Sequence, residues 1–100
     1  TGLIGSGPAY VYAFMEGLID AGVTLGLTRA QATSMVAGLV SGSALMAEAE
    51  GVHPTLLKEM VTSPGGTTIA GLNALDEHRF KFALSQAVMA AARRSRELAD

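Results

Sequence analysis

The residues best suited to chemistry lie in one short run, Thr62-Ser63-Pro64-Gly65-Gly66-Thr67-Thr68. Two glycines let the backbone turn without a Cβ penalty and come close to a ligand. A helix predicted to start at Thr67 or Thr68 presents unpaired N–H groups and the positive end of its dipole, which suits an anion. The hydroxyls of Ser63, Thr67 and Thr68 surround the same point. Together these groups can hold a carboxylate by charge-assisted hydrogen bonds without an arginine or lysine. The competing reading is purely structural: a helix–turn–helix connection with a threonine as its N-cap.

A second glycine-rich run, Gly2-Leu3-Ile4-Gly5-Ser6-Gly7-Pro8, also precedes a predicted helix. It is not a dinucleotide fingerprint, because no strand comes before it and no acidic residue follows at the required distance. It reads either as a linker ending in a proline-initiated helix or as a place where Ser6 reaches a ligand. His53 and His78 are far apart on predicted loops with no clustered carboxylates, so no metal site is expected. Glu16 and Asp20 stand four apart on one helix and read as a solvated face or cap partners. Glu59 is equally well explained by exposure. Arg93, Arg94 and Arg96 suit a helix C-terminus, and Tyr10 and Tyr12 suit core or interface packing.

The elements that position these groups are helical throughout. Pro8 suits a first helical turn, and Val11, Phe14, Leu18 and Ile19 form one face up to the stop at Gly26. Thr28-Arg29-Ala30-Gln31 is a capping box. The helix behind it runs to Gly51, with Met35, Leu39 and Met46 as its apolar stripe. Gly38 and Gly42, near Ser34, Ser41 and Ala44, let another helix approach closely. Pro54 opens a short third helix that ends near Thr62. The fourth helix carries Ile69, Leu72 and Leu75 on one side. After Asp76-Glu77-His78, a fifth runs from about Phe80 to Leu98, with Leu84, Ala87, Val88 and Ala91 inward. The fold class is all-α, with about five helices.

Composition narrows what such a domain can do. Hydrophobic residues make up 49% of the 100 residues and mean hydropathy is +0.35, more apolar material than a lone domain of this size can hide. A second chain is therefore expected to cover part of it. With a net charge of −2 and a single basic cluster at residues 93–96, nucleic acid is not an expected partner. The absence of cysteine removes disulfides, thiolate catalysis and zinc–thiolate sites, and fits a reducing compartment. The opening residues carry no basic n-region, so no signal peptide is expected. Ala30 to Ala47 is uncharged but holds Gln31, Thr33, Ser34, Ser41, Ser43 and two glycines. It reads as a buried soluble helix rather than a membrane span.

Two segments resemble a known family. Gly5-Ser6-Gly7-Pro8-Ala9-Tyr10 is similar to the run that opens the C-terminal domain of pyrroline-5-carboxylate reductases. Val61-Thr62-Ser63-Pro64-Gly65-Gly66-Thr67-Thr68-Ile69-Ala70-Gly71-Leu72 resembles that family's signature. The resemblance continues through Asp20-Ala21-Gly22-Val23, Gly26-Leu27 and Arg94-Ser95-Arg96-Glu97-Leu98, so it covers essentially the whole chain. Ile4 departs from it, standing where the family more usually has serine.

The resemblance implies an enzyme that reduces L-1-pyrroline-5-carboxylate to L-proline with NADPH or NADH in proline biosynthesis, in the cytoplasm. It implies that residues 1–100 are one C-terminal domain for dimerisation and substrate binding, intertwined with a second copy in a homodimer that assembles further into a decamer. A Rossmann domain is then missing from this chain, which alone should bind no cofactor and turn over no substrate. By position, Ser63, Gly65, Gly66 and Thr67 become the carboxylate cradle. Thr68 becomes the catalytic residue at the ring nitrogen, and Ser6 lies near the nicotinamide end of the cofactor. No metal is implied. The alternative is a helical oligomerisation module with no ligand site of its own.

Overall fold

The structure, a computed structural model, describes residues 2–62 and 66–99. They form five helices: α1 (Gly2–Thr24), α2 (Arg29–Glu50), α3 (Pro54–Met60), α4 (Thr67–Glu77) and α5 (Phe80–Ala99). Among the described residues there is no strand. The all-α expectation and the order of five helices therefore stand, and apart from the start of α1 the bounds lie within a few residues of those read from the punctuation. The chain divides into two units. One is Val11–Met60; the other combines Thr1–Tyr10 with Val61–Asp100.

In the first unit α1 turns back into α2 through a tight stop. Leu27 N–H donates to the Gly22 carbonyl at 3.1 Å and Gly26 N–H to that of Val23 at 3.0 Å. These are the paired bonds of a Schellman motif, and Gly26 takes the left-handed φ of 111° that the motif needs. The capping box is formed as expected. Gln31 N–H donates to Thr28 Oγ1 at 3.1 Å, and Thr28 N–H donates to Gln31 Oε1 at 2.9 Å. Arg29 also reaches the Asp20 carboxylate at 3.1 Å, with both side chains well exposed. The far end of α2 closes on Gly51, again left-handed at φ 63°.

The α1–α2 contact centres on Gly22, a position the apolar pattern does not mark. A Cβ added there would lie 3.2 Å from Ala32 Cβ and 3.3 Å from Leu27 Cδ1. Opposite it sits Ala32, 1% exposed, followed one turn later by Val36 at 7%. Among the described residues these two alone are buried. The expected apolar stripe of Met35, Leu39 and Met46 is not the face turned to α1: all three are more than half exposed in the single chain. An approach this close admits only small side chains, so α2 turns Ala32 and Val36 inward and its long side chains away from α1. The same finding corrects the reading of residues 30–47 as a buried helix. Gly38 and Gly42 have no neighbour within 4 Å of an added Cβ, so no helix of the same unit uses that close-approach surface among the described residues. No helix among the described residues is long and apolar enough to cross a membrane.

α3 begins at Pro54, as the punctuation predicts. His53 Nδ1 accepts the Thr55 N–H at 3.1 Å, and the His53 carbonyl accepts from Leu56 at 2.9 Å. This histidine caps a helix start.

In the second unit α4 and α5 form a helical hairpin. His78 N–H returns to the Ala74 carbonyl at 3.1 Å, and Arg79 N–H to that of Asp76 at 3.0 Å. Arg79 carries a positive φ of 59°, a conformation that costs a non-glycine residue about 1 kcal/mol. Its guanidinium lies 4.2 Å from the centroid of the Phe82 ring, which offsets part of that cost. On α5, Ala87, Val88 and Ala91 are half-buried. Leu84 is 40% exposed, against the expectation that it points inward. On α4 Leu72 is half-buried, while Ile69 and Leu75 are near 40% exposed.

Pro8 is a further correction. It lies inside α1, which begins at Gly2, rather than in the first turn of a helix preceded by a linker. A proline within a helix removes one backbone bond and restricts the residue before it. Here that residue is Gly7, which has no Cβ for the proline ring to meet. The helix therefore continues through the proline.

Candidate functional site

The open end of α4 is where the predicted chemistry and the described structure meet. Its N-cap is Gly66, in extended conformation at φ −86° and ψ 177°, with no side-chain cap hydrogen bond. The structural alternative of a threonine N-cap is therefore not realised. Thr67 and Thr68 are the first two residues of the helix, both exposed. A helix leaves its first N–H groups without intrahelical partners. Glycine has no side chain to satisfy them, and no acidic residue stands in the first turn. The positive end of the helix dipole thus lies beside two exposed hydroxyls that have no partner among the described residues. One atom set there, backbone N–H and hydroxyl donors, matches the oxygens of a carboxylate. Ser63 and Gly65, assigned to the same cradle, lie outside the described residues.

Gly66, whose backbone freedom was one reason to suspect this turn, does not adopt a left-handed φ. What it contributes is the absence of a capping side chain.

Ser6 is half-buried on α1, in the same unit as α4. The glycines on either side of it, Gly5 and Gly7, face open space: a Cβ at either would have no neighbour within 4 Å. Ser6 thus stands between two positions that carry no packing of their own. One turn further on, Tyr10 donates its hydroxyl to the Ala87 carbonyl of α5 at 3.3 Å. This tie escaped the sequence reading because its acceptor is a backbone atom 77 residues away.

The remaining candidates have structural occupations. His53 and His78 serve helix ends, the first as acceptor for Thr55 N–H and the second as C-cap of α4. Asp20 pairs with Arg29 rather than with Glu16. Glu59 is exposed. Arg94 pairs with Glu97 at 3.4 Å on the surface of α5. Among the described residues no three of His, Cys, Asp or Glu gather as they would to hold a metal ion.

Comparison with known proteins places the whole chain in one family. Residues 1–98 match the family model described as pyrroline-5-carboxylate reductase dimerisation. The pyrroline-5-carboxylate reductase of Pisum sativum is 55% identical over 98 residues, covering 98% of this chain and 36% of that protein. That of Escherichia coli is 45% identical over 97 residues, covering 97% of this chain and again 36% of its relative. Among solved structures, Plasmodium falciparum pyrroline carboxylate reductase with NADP bound superimposes with a TM-score of 0.96 at 40% identity. It covers all of this chain, which spans 38% of that one. The chain thus spans little more than a third of the length of the relatives it matches. Over that third, it belongs to the pyrroline-5-carboxylate reductase dimerisation family.

Proposed function

We propose that this chain is the C-terminal, dimerising and substrate-binding domain of an oxidoreductase that converts L-1-pyrroline-5-carboxylate to L-proline with NADPH or NADH. The observation that carries the reading is the uncapped start of α4, with Thr67 and Thr68 free to donate. Ser63, Gly65, Gly66 and Thr67 hold the substrate carboxylate in this reading. Thr68 lies next along the helix, where its hydroxyl orients the ring nitrogen and holds the imine proton in place. A protonated imine is already a good hydride acceptor, so the protein's main tasks are positioning and exclusion of water. That explains a site without an acid–base dyad.

A nicotinamide cofactor, when bound, supplies the hydride. The half-buried Ser6 between two unobstructed glycines fits one hydroxyl contact at the nicotinamide end. The 100 residues alone are expected to bind no cofactor tightly and to turn over no substrate.

Self-association rests on the exposed apolar residues of α2. Met35, Leu39, Leu45 and Met46 are each more than half exposed in the single chain. Covering what remains open on the four is worth on the order of 4 kcal/mol per chain at ordinary burial values. Two chains then gain about 8 kcal/mol from α2 alone, comparable to micromolar binding before the costs of association. The same reading places a homodimer at the base of a decamer, in the cytoplasm.

Thr68→Ala in the full-length protein tests the catalytic assignment. We expect kcat/KM to fall at least about 30-fold, roughly 2 kcal/mol of transition-state stabilisation. A fall of less than about twofold contradicts it. The exposed α2 face also favours a second reading, in which the helices only oligomerise. Under that reading, Thr68→Ala leaves turnover intact while light scattering still reports at least twice the 10.2 kDa of one chain.

A further inference from the structure

We propose that Tyr10 is a positioning residue, whose hydroxyl latches α1 to α5 and so fixes where Ser6 sits. The inference rests on the reading above for Ser6 and adds to it the device that aims this serine.

Two observations meet at Tyr10. Its hydroxyl donates to the Ala87 carbonyl at 3.3 Å, across 77 residues of sequence and in a partly buried position. It is also the residue four beyond Ser6 on the same helix. Residues four apart share a face of a helix, and the backbone N–H of the later one donates to the carbonyl of the earlier. A group that anchors Tyr10 therefore holds the turn carrying Ser6 through one backbone bond and sets the rotation of its face.

The need for such an anchor comes from Pro8. It lies inside α1 and has no N–H, so the Ile4 carbonyl loses its helical donor. The turns before the proline are thus joined to the rest of the helix by fewer bonds than an unbroken ladder would supply. Gly5 and Gly7 add no side-chain packing, since both face open space. Leu3 and Ile4 are 63% and 77% exposed, so burial does not hold this segment either. The Tyr10 bond ties the first ten residues to another helix. Ala87 is itself half-buried on α5, so the latch closes on a backbone carbonyl that stays in place whatever side chain stands there.

Tyr10→Phe removes the hydroxyl and keeps the ring. In the full-length protein we expect amide hydrogen exchange at Ser6 and Gly7 to accelerate roughly three- to tenfold, the range for loss of one hydrogen bond. KM for the nicotinamide cofactor should rise by a similar factor, while KM for the pyrroline substrate stays within twofold. Ser6→Ala is measured in parallel. If Ser6→Ala raises the cofactor KM and Tyr10→Phe does not, the latch is overturned while the reading of Ser6 stands. If Ser6→Ala leaves the cofactor KM unchanged, the reading of Ser6 fails, and exchange alone decides the latch. Unchanged exchange at Ser6 and Gly7 overturns it in every case.

Discussion

Two helices of this chain begin in opposite ways. The start of α2 is closed: Thr28 and Gln31 exchange hydrogen bonds, Arg29 reaches Asp20, and Gly22 lets Ala32 pack against the preceding helix. The start of α4 is open, with a glycine at the N-cap and two threonines whose hydroxyls find no partner among the described residues. Both starts face the same problem of orphan N–H groups. Where the chain solves it with its own side chains, the helix end is scaffold. Where no side chain among the described residues caps them, as at α4, the proposed reading assigns the helix end to an anion. The difference lies in a single position, threonine in one N-cap and glycine in the other.

That contrast can be broken from either side. The largest effect on the closed start is expected from Gly22→Val. Its added carbons meet Ala32 and Leu27 at distances tighter than ordinary contact, and overpacking of this kind costs about 2 kcal/mol. Chemical denaturation should show the loss, and the pyrroline KM of the folded fraction should not move. Thr28→Ala removes half of the capping box and should cost about 1 kcal/mol of stability, again without changing KM. Gly66→Ser gives the open start the cap it lacks. Its φ of −86° is one that serine adopts freely. Stability should rise by a few tenths of a kcal/mol, as glycine and serine caps differ little. The pyrroline KM should rise several-fold, because the new hydroxyl occupies donors that the carboxylate needs. Opposite signs for stability and affinity would mark α4 as a site; a change in stability alone would make it scaffold like α2.

Much of this architecture was legible because it is written locally. A capping box, a glycine after a helix and a proline before one each act within a few residues, and Thr28–Gln31, Gly26, Gly51 and Pro54 all behave as their neighbours dictate. What was not legible depends on residues far away or on surfaces this chain does not itself cover. Met35, Leu39 and Met46 form a good apolar stripe, yet the face turned toward α1 is decided by how closely Gly22 lets Ala32 approach. Pro8 was read as a helix start by the usual preference, whereas Gly7 relieves the conflict that would have ended a helix there. The donors at α4 were legible as a residue pattern. That they stand open follows from the N-cap falling on Gly66 and not on Thr67, a shift of one residue that helix-start rules do not resolve. The ring-nitrogen role of Thr68 and the nicotinamide role of Ser6 came from family resemblance, whereas Ser63 and the two glycines were already legible as an anion cradle from the chemistry of the run.

The most direct test of the open start is a titration of the protein with L-proline, followed at individual backbone amides. The account predicts saturable shifts at Gly66, Thr67 and Thr68, with the amides of Arg29, Ala30 and Gln31 unmoved. Amides at the start of α4 that stay still at saturating proline, or that move no more than those of α2, would contradict it.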